Sequence, residues 1–192
     1  MEIRSVCVYC ASASSAPEWL FEEVREFGAG LAKRGWRLVY GGASVGVMGA
    51  LADATLAAGG SVLGVIPKAL VGREVAHSNL TELKVVETMH DRKAEMFKGA
   101  DAFVAFPGGF GTMEEFFEML TWKQLGIHSK PIVFVNVRGY YSMMLGQFER
   151  AIADGIIRSD NRILYSVADD QEQVFSVLED ATVLNRVPGK WY

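Results

Sequence analysis

Ala102-Phe103-Val104-Ala105-Phe106, running directly into Pro107-Gly108-Gly109-Phe110-Gly111-Thr112-Met113-Glu114-Glu115, decides the fold of this chain. The first part is an unbroken apolar run, as expected of a strand covered on both faces. The second part is a glycine-rich turn that opens a helix reaching to about Gln124, with Met113, Phe116, Phe117 and Leu120 as its apolar stripe. Three glycines in four positions let the backbone approach a ligand and adopt turns that a side chain would forbid. A helix start offers unpaired N–H groups and a positive dipole end, which suit a phosphate. Thr112 adds a hydroxyl, and Glu115 places a carboxylate one turn into the helix. The loop is not a Walker loop, because no Gly-Lys-Ser/Thr follows. Nor is it the dinucleotide fingerprint, which belongs after the first strand.

The same alternation extends in both directions. Ile3 to Tyr9, Arg37 to Tyr40, Ser61 to Ile66, Lys84 to Val86, Pro131 to Val137 and Ile163 to Ser166 read as strands. Helical patterns fill the gaps: Glu18 to Arg34 behind Pro17, Val47 to Ala58, Met89 to Lys98, Tyr140 to Asp154 and Gln171 to Glu179. Pro67 to Leu80 has no clear period and reads as a loop or short helix. Alternating strand and helix predicts an α/β fold, Rossmann-like and doubly wound, with a mainly parallel sheet and helices on both faces. Ligands in such folds bind beyond the carboxyl ends of the strands. Gly41-Gly42 and Gly108-Gly109 both lie there, so they are candidates for one shared site.

At 192 residues the chain reads as a single domain over 1–192, with half its residues hydrophobic and able to form a sizeable core. The last ~10 residues, ending Val187-Pro188-Gly189-Lys190-Trp191-Tyr192, read as a tail that is mobile or docks on a neighbour. A net charge of −4 gives no sign of a nucleic-acid or membrane partner. No run reaches the ~18 apolar residues of a membrane span, and the short apolar start lacks a charged leader, so the expected compartment is the cytoplasm. Cys7 and Cys10 are three positions apart on a strand and face opposite sides, which favours buried thiols over a redox or zinc pair. His77, His90 and His128 lack metal-ligand spacing, so no metal site is expected.

A phosphate beside Glu114, Glu115 and Glu118 needs cations. Met89-His90-Asp91-Arg92-Lys93-Ala94-Glu95-Met96 supplies them. Lys93 falls within the stripe of Met89, Met96 and Phe97, and either snorkels to water or points at a ligand. Arg92 beside it carries a planar fork suited to an anion. Glu74 lies in the aperiodic loop after the third strand; by itself it reads as a surface acid.

Together these residues resemble the LOG (Lonely Guy) family of cytokinin-activating phosphoribohydrolases. The PGGxGTxxE hallmark is matched from Pro107 to Glu115, and the M-x-x-R-K helix by Met89, Arg92 and Lys93. Val6-Cys7-Val8-Tyr9-Cys10, Tyr40-Gly41-Gly42 and Val45-Gly46-Val47-Met48-Gly49 are also similar to the family, and the likeness runs from about residue 3 to 180. Ala11 stands where many relatives have glycine, and Phe110, Met113 and Glu114 occupy the variable positions of the hallmark.

The resemblance implies a homodimer, no cofactor, and hydrolysis of the N-glycosidic bond of a nucleoside 5′-monophosphate to free base and ribose 5-phosphate. The implied substrates are cytokinin riboside monophosphates and AMP. Glu115 and Arg92 then take the catalytic roles. Glu74, Lys93, Gly108, Gly109, Phe110, Gly111, Thr112, Met113, Glu114 and Thr121 bind substrate, with Thr121 reaching deeper along the cleft that Glu115 lines. Rival readings are a non-catalytic nucleotide-binding or sensing module, another phosphosugar or nucleotide hydrolase, and a lysine decarboxylase, for which no pyridoxal-phosphate lysine motif stands out.

Overall fold

Apolar runs bounded by glycine and polar turns become parallel strands in the computed structural model, which describes residues 2–72 and 76–181. Among the described residues, β1 (Ser5–Tyr9), β2 (Arg37–Tyr40), β3 (Val62–Pro67), β4 (Glu82–Val86), β5 (Ala102–Ala105), β6 (Ile132–Val135) and β7 (Ser166–Ala168) form one sheet in the order β4-β3-β2-β1-β5-β6-β7. Every neighbouring pair is parallel. The chain winds outward from β1 to β4, returns to place β5 on the other side of β1, and winds outward again. The strand order therefore reverses between β1 and β5, where Tyr9 is in register with Ala105.

Seven α-helices accompany the described strands, six of them between consecutive strands and one after the last. α1 (Glu18–Lys33), α2 (Gly46–Ala57), α3 (Lys68–Val71) and α4 (Met89–Gly99) precede β5; α5 (Phe110–Gln124), α6 (Ser142–Ala153) and α7 (Gln171–Ala181) follow it. Alternate strand residues feed two cores. Val6, Val8, Tyr40 and Phe106 pack under α1, α2 and α7, while Cys7, Tyr9, Phe103 and Phe134 pack under α4, α5 and α6. Cys10 falls in the first core and Cys7 in the second, so the thiols lie on opposite faces as expected. Burial pushes both thiols well above the ordinary cysteine range.

Two expectations about periodicity need correction. Ile163 to Ser166 is not the last strand: Ser159–Leu164 is a 3₁₀ helix and the strand starts at Ser166. Leu164 alone of that stretch is buried, and Ile163 is exposed, so the alternation a strand needs is missing. On α5 the buried line is Thr112, Phe116, Met119 and Lys123 rather than Met113, Phe116, Phe117 and Leu120. The helix faces the sheet about one residue off the most apolar stripe, because Phe117 and Leu120 turn toward α6 and the 3₁₀ helix. The expected tail falls on 182–192, outside the described residues.

α1 and α2 approach closely at Gly28, where an added Cβ would lie 2.7 Å from the Leu51 carbonyl oxygen and from Thr55 Oγ1. Gly28→Ala should destabilise the fold by about 1–3 kcal/mol through overpacking, although alanine is the better helix former. Urea unfolding checks this; an unchanged midpoint would mean that the two helices separate at little cost.

Candidate active site at the strand-order reversal

The turns leaving β1 and β5 splay apart and leave a depression of about 240 Å³, lined by Ala11, Ala13, Trp19, Gly108, Gly109 and Tyr140. α5 starts beside it. Gly109 is its N-cap and offers no side-chain cap, and the first helical bond runs from Met113 N to the Gly109 carbonyl. The N–H groups of Phe110, Gly111 and Thr112 precede that bond, so the helix itself does not use them.

The glycines of this loop divide between two purposes, and neither is a left-handed turn. None of Gly108, Gly109 and Gly111 has a left-handed backbone. A Cβ on Gly108 would lie 2.1 Å from Thr112 Oγ1, so that glycine makes room for the buried threonine. A Cβ on Gly109 or Gly111 would meet nothing within 4 Å. These two glycines therefore keep open a space that no part of the described chain fills. Phe110 projects outward, 94% exposed.

A clamp that the sequence reading missed holds this loop. Tyr140 Oη donates to the Gly108 carbonyl at 2.8 Å, and Tyr141 Oη to the Phe106 carbonyl at 2.6 Å. The Asn136 side chain accepts from Tyr141 N at 2.7 Å. Arg138 (φ 54°) and Gly139 (φ 70°) turn the chain back so that the tyrosines face the loop. Arg138 is the one non-glycine residue in the left-handed region among the described residues, and its guanidinium stacks 5.0 Å from the Trp19 ring. The available signal was the Tyr-Tyr pair just past the carboxyl end of β6, beside β5.

Arg92 and Glu115 meet at the same end of the sheet. Thr88 and Asp91 form a reciprocal capping box that fixes the start of α4, and Arg92 follows at once. Its Nε donates to the Val65 carbonyl at 3.1 Å and its Nη2 to the Gly41 carbonyl at 3.2 Å. Nη1 lies 3.6 Å from Glu115 Oε1, and both side chains are nearly buried. A Cβ on Gly41 would sit 1.9 Å from Arg92 Nη2. The two glycine turns are thus joined through one ion pair, as their positions suggested. Burial raises the Tyr9 hydroxyl and the Cys10 thiol, and the Glu115 charge raises them further, which places this carboxylate over the end of β1.

The other expected site residues divide. Arg92 is deeper in the structure than Lys93, the reverse of the expected stripe. Lys93 Nζ bonds Glu114 at 2.6 Å and Glu118 at 3.1 Å. Burial lowers its pKa, but these carboxylates outweigh that and hold it above the ordinary lysine value. Lys93 and Glu114 are therefore each other's partners. Thr121 does not share the Glu115 cleft in this chain. Six residues at ~100° each rotate it to another side of α5, where it lines a separate cavity of about 170 Å³ with Phe117, Leu120 and Phe148. Glu74 lies outside the described residues. Among the described residues no group of three His, Cys, Asp or Glu could hold a metal ion, and no helix is long and apolar enough to cross a membrane.

A family described as "possible lysine decarboxylase" matches residues 48–178. Over 177 residues, 92% of this chain and 79% of the relative, the sequence is 45% identical to a rice (Oryza sativa subsp. japonica) protein described as probable cytokinin riboside 5′-monophosphate phosphoribohydrolase LOGL1. The chain belongs to the LOG family. An Arabidopsis thaliana member, cytokinin riboside 5′-monophosphate phosphoribohydrolase LOG1, is 42% identical over 184 residues, 94% of this chain and 86% of that one. Among solved structures, the molybdenum cofactor carrier protein of Chlamydomonas reinhardtii superposes with a TM-score of 0.73 at 22% identity, covering 95% of this chain and 100% of that one. The molybdenum cofactor binding protein of Rippkaea orientalis gives 0.72 at 19% identity, covering 95% and 99%. These two show the fold shared by this LOG-family chain.

The glycines of the site should separate by role when stability alone is measured. Gly111→Ala, inside the first turn, should leave the urea midpoint unchanged or slightly raised, since the added methyl meets nothing and alanine favours a helix; Gly109→Ala, at the N-cap, should cost about 0.5–1 kcal/mol because alanine caps less well than glycine. Gly41→Ala should cost about 1–3 kcal/mol by displacing Arg92. Equal losses in all three variants would contradict this division.

Proposed function

We propose that this protein hydrolyses the N-glycosidic bond of nucleoside 5′-monophosphates, cytokinin riboside 5′-monophosphate and AMP, to free base and ribose 5-phosphate. The observation that carries the reading is a nearly buried, arginine-oriented carboxylate, Glu115, one turn inside a helix whose open N-terminus lies at the strand-order reversal. The relatives' names supply the reaction; this geometry supplies residues suited to it.

The 5′-phosphate sits on the N–H groups of Phe110, Gly111 and Thr112 and on the Thr112 hydroxyl, in the space that Gly109 and Gly111 keep open. As the bond from C1′ to the base nitrogen breaks, its electron pair leaves with the base and positive charge builds on the ribose. The Glu115 carboxylate faces that charge and takes a proton from the water that adds to C1′; the base gains a proton in exchange. General-base help is worth ~10²–10⁴-fold, and electrostatic stabilisation adds a similar factor. Arg92 donates two of its N–H groups to the carbonyls of Val65 and Gly41, so its role is to aim the Glu115 carboxylate, 3.6 Å from Nη1. Lys93, held by Glu114 and Glu118, balances the carboxylates of α5. Glu74 and Thr121 remain substrate contacts by family likeness, Thr121 from a different side of α5.

We also propose a single nucleotide-binding domain that acts in the cytoplasm as a homodimer. The buried free thiols suit a reducing compartment, and Met143 and Ile156, 89% and 79% exposed, offer apolar surface for a second copy. Size-exclusion chromatography with light scattering tests the dimer; a monomer mass at assay concentration rejects it.

Glu115→Gln and Arg92→Ala should each slow base release from AMP and from isopentenyladenosine monophosphate by at least about a hundredfold, followed by chromatography. Near-wild-type turnover in both variants would sink the assignment. Gly109→Ala should raise KM for the monophosphate with only a small loss of stability, and free adenosine should be a far poorer substrate than AMP. Tight AMP binding without base release would point instead to a non-catalytic binding module.

A further inference from the structure

The buried line of α5 ends in a cation the proposed reaction does not use. Lys123 is only 9% exposed. Arg92, the other buried cation among the described residues, bonds two carbonyls and pairs with Glu115. Lys123 has no hydrogen-bond acceptor or carboxylate partner among the described residues, and burial alone pushes its pKa down to about 8. It lines a cavity of about 420 Å³ together with Ser129, Pro131, Ile132, Ser166 and Val177, a size usual for small-molecule sites. The cavity lies at the amino ends of β6 and β7, at the opposite end of the strands from the Arg92–Glu115 pair.

A mostly buried side chain whose ammonium finds no partner among the described residues gives up hydration, and an anion that reaches it through the cavity offsets that cost. The carbonyls at the end of α5 favour a positive charge there, with no specific partner among the described residues. The surrounding charges define the anion. His128 adds none: burial pushes its pKa down to about 4, its Nε2 bonds the Met119 carbonyl at 2.9 Å, and its Nδ1 accepts from Lys130 N at 3.1 Å. Lys130 Nζ is committed to the Phe97 carbonyl at 2.6 Å. Asp180 contributes a carboxylate to the lining. One cation with one acid nearby suits a monoanion and disfavours a dianionic phosphate. Two serine hydroxyls suit carboxylate oxygens, and Pro131, Ile132 and Val177 require an apolar body.

We propose that this cavity binds a small carboxylic acid with an apolar body, as its monoanion, the carboxylate on Lys123 and the hydroxyls of Ser129 and Ser166, the body against Ile132 and Val177. This site is independent of nucleotide cleavage.

The full chain is titrated calorimetrically at neutral pH with octanoate, 3-phenylpropionate, octanamide and inorganic phosphate, alongside thermal melts. The two carboxylates should bind and raise the melting temperature, as any ligand selective for the native state does; octanamide and phosphate should not. Lys123→Met should weaken octanoate binding about tenfold or more, the factor set by losing a charged hydrogen bond, and leave AMP cleavage unchanged. As a readout that needs no variant, acetylation of Lys123 by acetic anhydride, followed by mass spectrometry, should slow with octanoate and not with octanamide. The proposal is overturned if octanamide or phosphate binds as well as octanoate, if Lys123→Met binds octanoate with wild-type affinity, if neither carboxylate binds, or if octanoate leaves the acetylation rate unchanged.

Discussion

The guanidinium of Arg92 is the constraint on which the site depends. A buried cation needs partners on every side, and Arg92 finds them on three elements besides its own helix: the carbonyls at the ends of β2 and β3, and Glu115 on α5. Because the guanidinium is planar, satisfying the two carbonyls sets where its third edge points, and that edge faces Glu115. The capping box at Thr88 and Asp91 acts one step earlier by setting the rotation of α4. The bare Gly41 backbone acts one step later by letting the fork come close. A carboxylate is thereby placed over the strand-order reversal by groups that are themselves fixed by the sheet.

Glycines of the two turns at the site turn out to differ physically. Gly41 and Gly108 are required by neighbouring parts of the chain, an arginine in one case and a threonine in the other. Gly109 and Gly111 are not, and neither needs a left-handed backbone. At Gly111, inside the first turn, folding alone would favour alanine; at Gly109 the N-cap itself accounts for part of the preference for glycine. The room left beside both is what the phosphate proposed for this helix start requires.

Much of the fold was legible because strands buried on both faces read as plain apolar runs, and because Gly-Gly pairs mark the ends of β2 and β5. Arg92 and Glu115 were legible as a pair only through their motifs; nothing in local periodicity brings α4 beside α5. Periodicity failed where two packing partners competed. On α5, Phe117 and Leu120 face α6 and the 3₁₀ helix while Phe116 and Met119 face the sheet, so the apolar stripe averages two directions and conceals that Lys123 points inward. Ile163 read as strand because its apolar character was counted, yet it is exposed. Thr121 was misplaced by counting turns along α5 without counting rotation around it. The tyrosine clamp was invisible because it joins residues 32 and 35 positions apart, and only the sheet order makes them neighbours.

The bond from Tyr140 to the Gly108 carbonyl also affects the sign of the field inside the loop. A peptide turn presents oxygens as well as N–H groups, and an oxygen lone pair beside a phosphate repels it. By occupying the Gly108 carbonyl from the side, the phenol withdraws the acceptor closest to the helix start. For the anion proposed at this helix start, one competing acceptor is thereby occupied. The group that does this belongs to the loop after a different strand, so the electrostatics of the β5 turn depend on the chain beyond β6.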